Sequence, residues 1–479
     1  MTKRTVVFVL LVPLLLAACR DTGGRRGQRG GAGSDPATIV DRLDRNGDGA
    51  ISRDEVPSQA ARLRDNFDVI DADGDGRITA AELEAVQQYR AGRDGSTPGQ
   101  SSPPASPPPA DTSYPPSDDA GEWRADARAM GRSGVDYIDP EILSSENLVA
   151  SQDKSGNVWL GRLDPKTGLF VDNGQDVRMA TNALRVGESY NGPEFGVDAS
   201  GWAVYYTTMN DGVPQIGRAR LVNGEPVAEV LTKDSQRRQS VLASKNPSAS
   251  DTTLAYLHGS LRGGEFYWAD RKRLSSENRL MPISGVDGPR FVDDSDLFVY
   301  TETRGSGQGQ VKLVDRTTGA ATQVTDDAGT KAWAYGWRAP EFDNDMLVLA
   351  LVDRSELVVW RDTGGRYWQR IATFGPPAGA RHGYMGSPEP FVSEGKSYIS
   401  LVLKDKRGTP TDSEVWVIGL NADGDEPFAR RVDSGVRGLA RSDPETYRGD
   451  DEIFLIYNII TPRRTYEIYR ASTGLSSSP

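Results

Sequence analysis

Two twelve-residue segments carry oxygen-bearing side chains at matching intervals. In the first, DRNGDGAISRDE, positions 1, 3, 5, 7, 9 and 12 are Asp44, Asn46, Asp48, Ala50, Ser52 and Glu55. In the second, DADGDGRITAAE, the same positions are Asp71, Asp73, Asp75, Arg77, Thr79 and Glu82. Carboxylates and amides early in such a loop, a backbone carbonyl at position 7 and a bidentate Glu at position 12 supply the oxygen ligands that Ca²⁺ prefers. The spacing predicts two calcium ions.

The residues between and before these ligands support the same interpretation. Gly49 and Gly76 stand at position 6, where the chain must turn sharply, and Ile51 and Ile78 at position 8 are predicted to pair as a short β-bridge. Apolar pairs precede both loops at helical spacing. The segment 35–91 therefore resembles an EF-hand pair, which implies a small all-α domain. The alternative is a pair of ordinary Asp/Gly-rich turns.

The N-terminus resembles a bacterial lipoprotein signal. Lys3 and Arg4 precede an apolar stretch from Val6 to Leu16, and Ala17 and Ala18 lead into Cys19, the only cysteine of the chain. This resemblance implies a signal peptide over 1–18, acylation of Cys19 and a membrane-anchored protein of the cell envelope. The residue after Cys19 is not Asp, which favours the outer membrane, facing the periplasm or the exterior. A signal-anchor helix is the alternative.

Composition divides the remainder of the chain. Residues 19–34 are Gly- and Arg-rich and are predicted to form a disordered tether, and 92–121 form a Pro/Ser/Gly-rich linker. Hydrophobic residues make up 37% of the chain and the net charge is −12, so a packed body is expected and nucleic-acid binding is not.

Residues 122–476 contain a repeat of strand, turn and strand with a mean interval of about 51 residues. The units begin near Pro140, Pro193, Pro247, Pro289, Pro340, Pro388 and Pro444. Four short antiparallel strands at this period are typical of propeller blades, and the units resemble TolB-like and WD40-like repeats. The pattern predicts an all-β propeller of seven blades, with six as the alternative. The seventh unit lacks an outermost strand, which residues near Trp123 to Tyr137 are expected to supply.

Aligning the units on proline gives a column of acids. Glutamate follows the proline in five units, whereas Ser248 and Arg290 stand there in the other two; the five are Glu141, Glu194, Glu341, Glu389 and Glu445. The innermost strand begins near this position, so these side chains are expected around the mouth of the central channel, where they could bind a cation or a polar ligand. Alternatively, each Glu caps its own turn or pairs with a neighbouring Arg.

Two further features precede blade entries. His382 lies in RHGYMGSPEPF and is a candidate ligand-binding residue, although a loop histidine is more often structural. Trp333, Tyr335 and Trp337 alternate with small residues, so their rings would share one face of an extended segment, either as a stacking platform or as packing between blades.

These features favour a binding function over catalysis. The sequence predicts a calcium-binding, lipid-anchored envelope protein whose propeller serves as a binding or scaffold module for an unidentified protein or glycan. The alternative is a carbohydrate-active enzyme, a glycoside hydrolase or lyase, that uses carboxylates at the channel mouth.

Overall fold

The computed structural model describes residues 40, 43–46, 49–57, 77–80, 126–184, 191–259, 264–279, 289–292, 295–304, 308–364, 368–405, 410–420, 428–461 and 465–478. The chain divides into two compact units, 1–108 and 109–479. Within the described ranges, no helix has the length and apolar character needed to cross a membrane. Several predicted site residues lie outside them: Cys19, Asp48, Asp71, Asp73, Asp75 and Glu82.

The described part of the first unit is a two-stranded antiparallel ribbon. Strands β1 (Ala50–Ser52) and β2 (Arg77–Thr79) pair with Ile51 opposite Ile78, and both isoleucines are fully buried. A 3₁₀ helix, Arg53–Glu55, follows β1. The predicted bridge between the two loops is therefore confirmed. The helices expected of an all-α pair fall largely outside the described residues.

The second unit is a ring of seven four-stranded antiparallel sheets, so the six-bladed alternative is wrong. Blades 1 and 2 are formed by β4 (Ile138–Leu143), β5 (Leu148–Gln152), β6 (Val158–Arg162), β7 (Val177–Ala180), β8 (Glu194–Asp198), β9 (Gly201–Asn210), β10 (Val213–Val222) and β11 (Glu225–Val230). Blades 3 and 4 are formed by β12 (Arg238–Ala243), β13 (Thr253–His258), β14 (Glu265–Asp270), β15 (Asn278–Arg279), β16 (Arg290–Phe291), β17 (Leu297–Arg304), β18 (Gln308–Asp315) and β19 (Ala321–Gln323).

The remaining strands complete the ring. Blades 5 and 6 are formed by β20 (Lys331–Ala339), β21 (Asp345–Val352), β22 (Glu356–Arg361), β23 (Gln369–Phe374), β24 (Tyr384–Ser393), β25 (Lys396–Lys404), β26 (Ser413–Gly419) and β27 (Ala429–Arg431). Blade 7 is formed by β28 (Ala440–Arg448), β29 (Glu452–Ile460), β30 (Tyr466–Ser476) and β3 (Ala127–Ala129). Short 3₁₀ helices lie at Ser144–Glu146, Arg271–Arg273 and Pro340–Phe342.

Strand β3 closes the ring. It precedes blade 1 in sequence but pairs with β30, the third strand of blade 7, with Ala127 opposite Ala471. The Arg470 guanidinium donates to the backbone oxygen of Asp126 at 2.7 Å and to its carboxylate at 2.8 Å. The prediction that residues near Trp123 to Tyr137 supply the missing strand is confirmed, and both ends of the propeller meet in one sheet.

Both faces of the inner strands are covered by neighbouring blades, which explains their composition. Strand β21, DMLVLALV, is buried at every position except its two ends, because side chains on its two sides belong to different clusters. Leu347 and Leu349 pack between blades 5 and 6, whereas Val348 and Ala350 pack between blades 4 and 5. A continuous apolar run rather than an alternating one is the expected signature of such a strand.

A bulge recurs in the innermost strand of five blades. Pairing with the second strand shifts register at this point, and one residue of each bulge has a positive φ of 45–57°: Asp139, Ser240, Trp333, Ser387 and Asp443. The residue two positions later resumes the pairing: Glu141, Leu242, Tyr335, Glu389 and Glu445. A bulge re-aims the side chains that follow it, so these five positions are structurally equivalent.

Three of these strands also share a buried cation four residues before the equivalent position. Arg238, Lys331 and Arg441 are each at most 5% exposed. The Lys331 ammonium donates to the carbonyls of Asp327, Ala328 and Gly329 and lies 2.6 Å from the Asp327 carboxylate. Buried cations require such partners. The cation thereby fixes the loop that leads into the blade.

Candidate functional site

The central channel contains a cavity of about 230 Å³. Its lining comes from the innermost strands of all seven blades or the residues adjacent to them. The equivalent positions after the bulges therefore converge on one space. The cavity is the place where the ring brings together side chains that are far apart in sequence.

The lining is rich in charged groups of both signs. Six acids and two bases line the cavity: Asp139, Glu141, Glu194, Glu389, Asp443 and Glu445, with Lys245 and Arg290. Four of the five predicted glutamates are thus brought together. Sequence reasoning missed Asp139, Asp443 and Lys245; the recurrence of Asp-Pro-Glu in units 1 and 7 is the signal that identifies the two aspartates.

Lys245 is the central cation of this group. Its ammonium forms an ion pair with Glu141 and lies 3.4 Å from the carbonyl oxygen of Ile142. Protein surrounds it, yet 35% of its side chain remains accessible to solvent, since it faces the cavity. Burial disfavours the ammonium charge, but the carboxylates of Glu141 and Glu445 outweigh burial and raise the pKa of Lys245. Lys245 is therefore charged at neutral pH.

The acids outnumber the bases, and their pKa values reflect this. Burial, followed by the charge of Glu141, raises the pKa of Glu389 to about 7 and that of Glu194 well above its usual value. Burial and the neighbouring carboxylates of Glu389 and Glu141 likewise raise the pKa of Glu445. The raised pKa values favour the protonated forms of these groups, which can donate hydrogen bonds as well as accept them.

Two acids of adjacent blades form a carboxyl pair. Burial and then the charge of Asp139 raise the pKa of Asp443 well above its usual value, and the two carboxyl groups are hydrogen-bonded. The Asp139 carboxylate also accepts from the backbone N–H of Gly192. The two aspartates have the same left-handed bulge conformation, so one backbone device in blades 1 and 7 creates the pair.

Tyr335 connects the basic and acidic sides of the cavity. The Arg290 guanidinium donates to the Tyr335 hydroxyl at 3.2 Å, and that hydroxyl donates to Glu389 at 3.1 Å. The Arg290 guanidinium also lies over the Tyr335 ring, 5.3 Å from its centroid. Burial raises the pKa of Tyr335 well above its usual value, so the hydroxyl stays protonated. The group orients Glu389 toward the cavity.

The prediction that all five glutamates meet at the channel mouth is wrong for Glu341. Its carboxylate accepts hydrogen bonds from the backbone N–H (2.7 Å) and hydroxyl (3.1 Å) of Ser397, so it joins blade 5 to blade 6. In blade 5 the proline follows the innermost strand instead of standing inside it. The position two residues after the bulge residue is therefore occupied by Tyr335 in blade 5. In blade 3 it is occupied by Leu242, and not by Ser248, which the proline alignment placed there.

Of the other two candidate features, His382 lies outside the acidic group, whereas Tyr335 and Trp337 of the aromatic segment line the cavity. The His382 imidazole is 3.1 Å from the Asp412 carboxylate, in the connections of blade 6, and does not line the cavity. Trp333, Tyr335 and Trp337 all pack against the cluster between blades 5 and 6. Packing between blades therefore accounts for all three rings, and the Tyr335 hydroxyl additionally reaches the cavity.

The calcium loops form a separate candidate site in the first unit. The Gly49 N–H donates to the Asp44 carboxylate at 2.7 Å, with Gly49 at φ +84°, which favours glycine. Glu55 accepts from the N–H groups of Arg45 (2.8 Å) and Asn46 (3.0 Å), and from the N–H and hydroxyl of Ser52. The hydrogen bond from the Ser52 hydroxyl is the main cause of the lowered pKa of Glu55, about 2.

The geometry of the first loop fits the metal it is predicted to hold. Glu55 is ionised at neutral pH and turned toward the start of the loop, where Asp44 and Asn46 carry the first two ligand groups. A carboxylate in that position can become the bidentate ligand at position 12. Within the described ranges, which include part of the first loop but not Asp48, no group of three or more His, Cys, Asp or Glu side chains is placed to hold a metal ion.

Comparison with known proteins agrees with the loop assignment. The EF hand family model matches residues 41–56 and 63–87, which include both predicted calcium segments. This match indicates calcium binding. No curated protein sequence matches the chain significantly.

Solved propellers resemble the second unit at low identity. The propeller of Dos1 is 10% identical over 68% of this chain and 75% of its own, with a TM-score of 0.42. The propeller domain of Cps50 (Swd1) from Myceliophteria thermophila is 10% identical over 72% of this chain and 99% of its own, with a TM-score of 0.44. TolB from Acinetobacter baumannii is 13% identical over 68% and 79%, with a TM-score of 0.32.

Proposed function

We propose that the protein is a calcium-binding, lipid-anchored protein of the cell envelope whose propeller binds a polar ligand in its central cavity. The convergence of six acids and two bases on one space is the observation that carries the binding function. Concave sites with a few converging polar groups are the usual places where proteins hold ligands. The ligand is a protein or glycan group that presents hydrogen-bonding atoms to these side chains.

Calcium belongs to the first unit in this proposal. Each twelve-residue segment has a complete set of ligand residues, so the chain takes up two ions. The four hydrogen bonds that hold Glu55 in place support a preformed first loop. Because Glu55 has a low pKa, calcium uptake by this loop needs no loss of its proton at neutral pH.

The lipid anchor is proposed from the sequence. Cys19 is the only cysteine and follows Leu16-Ala17-Ala18, so one thiol stands where acylation requires it. Replacing Cys19 by Ala is expected to abolish incorporation of labelled fatty acid and to release the protein from membranes. Unchanged membrane association of that variant would contradict the anchor, whereas the propeller's binding function would be unaffected.

A direct test of the binding function compares the unaltered protein with a cavity variant. Mature protein and Glu389→Gln are immobilised, and the glycans and proteins that each retains from envelope extracts are identified, with calcium and with chelator. We expect at least one ligand that the unaltered protein retains and the variant loses. Glu341→Gln serves as the control, since Glu341 contacts Ser397 outside the cavity. Identical retention by Glu389→Gln and the unaltered protein contradicts binding in the cavity.

One observation also favours a glycoside hydrolase as a second candidate. Glycosidic cleavage uses a protonated acid beside an ionised carboxylate, and the cavity contains Glu389 with its raised pKa together with Glu141 paired to Lys245. Incubation with envelope polysaccharides, followed by measurement of reducing ends, tests this candidate. Release that depends on Glu389 supports it, and absence of release leaves the binding function.

A further inference from the structure

A buried histidine lies on the face of blade 3 that packs against blade 2. The His258 imidazole, at the end of β13, is nearly parallel to the Tyr267 ring on β14, with centroids 3.9 Å apart and planes at 14°. The Tyr256 ring also stacks on the imidazole, at 5.6 Å. Both tyrosines pack in the cluster between blades 2 and 3. Only 13% of the His258 side chain is exposed, so its surroundings fix the orientation of the ring.

The Glu277 carboxylate lies between this imidazole and a buried guanidinium. Its Oε2 is 2.8 Å from His258 Nε2, and its Oε1 accepts a hydrogen bond from Arg238 Nε at 2.5 Å. Arg238 also donates to the Asp234 carboxylate and to the carbonyl oxygen of Gln236, in the loop that enters the blade. Glu277 directly precedes β15. The carboxylate therefore connects the outermost strand of blade 3 to the start of the innermost strand.

Strand β15 has few other attachments among the described residues. It consists of two residues, which pair with Tyr267 and Trp268 of β14. Its Arg279 also forms an ion pair with Glu265, but both side chains are exposed, and exposed pairs contribute little to stability. Short segments with few buried contacts open more easily than core strands. The contact between Glu277 and Arg238 is therefore important for holding β15 on the blade.

Charged and ionisable groups face His258 from every strand of the blade. They are Asp234 and Arg238 at the innermost strand, Tyr256 on β13, Glu265 and Tyr267 on β14, and Glu277 beside β15. Burial lowers the pKa of His258 below the ordinary value of 6.5, and the carboxylates, Glu277 foremost, offset this effect only in part, because the Arg238 charge opposes them. Burial raises the pKa of both tyrosines, so their hydroxyl groups stay protonated.

The contact between the imidazole and Glu277 is close but poorly aligned. Although the two atoms are 2.8 Å apart, His258 Nε2 is enclosed and has no hydrogen-bond partner among the described residues. In the neutral state of His258, Arg238 is thus the cation that Glu277 binds. A proton on the imidazole places a second cation beside the same carboxylate and close to the guanidinium.

We propose that His258 makes blade 3 sensitive to acid: uptake of a proton by its imidazole weakens the contact between Arg238 and Glu277 and releases β15 from the blade. Two cations then compete for one carboxylate, and their mutual repulsion falls when Glu277 moves away together with β15. The effect concerns the interface of blades 2 and 3 and does not depend on the ligand of the central cavity.

The direction of the pH dependence follows from the lowered pKa. The imidazole binds a proton more weakly in the closed blade than in an open or unfolded one, so protonation favours the open form. The contact is complete above pH 6.5, the ordinary pKa of histidine, and is lost as the pH falls through the lower pKa of the folded protein.

NMR measures the protonation of His258 directly, because the chain has only one other histidine, His382. The imidazole Cε1–H signals of the full chain are followed from pH 8 to pH 5 with calcium saturating, and His258→Gln assigns them. We expect the His258 signal to titrate with a midpoint below 6.5. A midpoint above this value would show that the carboxylates and the tyrosine rings stabilise the imidazolium, which overturns the proposal.

Hydrogen exchange measures the release of the strand. Exchange of residues 264–279 is followed by mass spectrometry at pH 7.5 and pH 5 and corrected for its intrinsic pH dependence. We expect protection of β15 to fall by about tenfold or more at pH 5 in the unaltered protein and to change little in His258→Gln. His382→Gln is the matched control, since His382 lies beside Asp412 in blade 6 and should leave this response unchanged. Exchange of β21 reports any global unfolding.

A further variant tests the contact itself. Glu277→Gln removes the carboxylate, so β15 is expected to exchange at pH 7.5 as it does at pH 5 in the unaltered protein, with little further effect of acid. If His258→Gln does not fold, His258→Phe, which keeps an aromatic ring and cannot take up a proton, replaces it. Protonation of His258 without faster exchange of β15, or an equal acid response in the variant without this histidine, contradicts the proposal.

Discussion

Individual side chains in the first calcium loop already hold the geometry that metal binding uses. Glu55 accepts four hydrogen bonds: its Oε1 accepts from the N–H groups of Arg45 and Asn46 at the start of the loop, and its Oε2 accepts from the N–H and hydroxyl of Ser52. The neighbouring acid, Asp54, is exposed and stands at position 11, which supplies no ligand. Two acids side by side in sequence are therefore predicted to differ in function.

Replacing Glu55 by Gln removes the charge of the bidentate ligand without changing its size. We expect calcium affinity of the first site to fall at least tenfold, as measured by calorimetry on the mature protein, because Gln neutralises one ligand charge. Asp54→Asn removes the same charge one residue earlier and is expected to change affinity less than threefold. Equal losses in both variants would mean that general negative charge, not ligation by Glu55, attracts the ion.

Within the elements of blade 6, a fully buried carboxylate joins three chain segments. Glu414 on β26 accepts from the backbone N–H and guanidinium of Arg381, just before β24, at 2.8 Å each, and lies 2.9 Å from the Arg431 guanidinium on β27. Arg431 also pairs with Asp433, which lies 3.3 Å from Arg441 of blade 7. The network therefore extends from one blade to the next.

Removing the charge of Glu414 takes away the fully buried partner of Arg381 and one of the two carboxylates that pair with Arg431. We expect Glu414→Gln to lower the free energy of unfolding of the propeller by about 3 kcal/mol, measured by denaturant titration. Glu356→Gln breaks an exposed pair with Arg370 at 3.9 Å and is expected to change it by less than about 0.5 kcal/mol. A cost for Glu414→Gln no larger than that of the control would contradict the role of the network.

The closing strand gives a second prediction for an element. A chain that begins at residue 131 lacks β3 and leaves the edge of β30 unpaired, whereas a chain that begins at residue 109 keeps it. Several backbone hydrogen bonds and the Asp126–Arg470 ion pair are lost, at about 1 kcal/mol each. We expect the propeller transition of the shorter chain to fall by roughly 5–10 °C in scanning calorimetry. Equal transitions would show that β3 does not stabilise the ring.

Elements of the propeller were predictable to different degrees. The proline alignment identifies the channel glutamate in units 1, 2, 6 and 7. In units 1, 6 and 7 Pro lies inside the bulge, so Asp-Pro-Glu or Ser-Pro-Glu marks the backbone turn directly. The alignment fails for units 3 and 5, because Ser240 and Trp333 form the same bulge without a following proline. Units 3 and 5 instead share a buried cation, Arg238 or Lys331, four residues before the channel position.

Considered as a whole molecule, the ring creates an environment that no single unit contains. Lys245 follows β12 of blade 3 but neutralises Glu141 of blade 1, and Asp139 and Asp443 are hydrogen-bonded although they stand at opposite ends of the repeat. Strand periodicity predicts the blades but not which side chains meet across the channel. The distances between the side chains that meet across the channel depend on ring closure and on the bulges. The excess of acids over bases in the cavity depends on them too.

Because acids outnumber bases in the cavity, the free energy of unfolding of the propeller is expected to fall as pH rises. Most proteins with paired surface acids show the opposite dependence. In the folded protein the pKa of Glu389 is raised to about 7 from the ordinary value of 4.5 for glutamate. Between these values the folded state binds more protons than the unfolded state, so the free energy of unfolding falls as pH rises. We expect the propeller to lose stability on the order of a few kcal/mol between pH 5 and pH 8.

Glu389→Gln removes this titration, so the stability of the variant should decrease less over that range and exceed that of the unaltered protein at pH 8. Glu341→Gln, which lies outside the cavity, should keep the original slope. Denaturant titrations of the three proteins at several pH values measure the effect. A propeller that becomes more stable from pH 5 to pH 8 would contradict this prediction. It would show that the cavity acids are ionised in the folded state and that Lys245 and Arg290 are sufficient to compensate their charge.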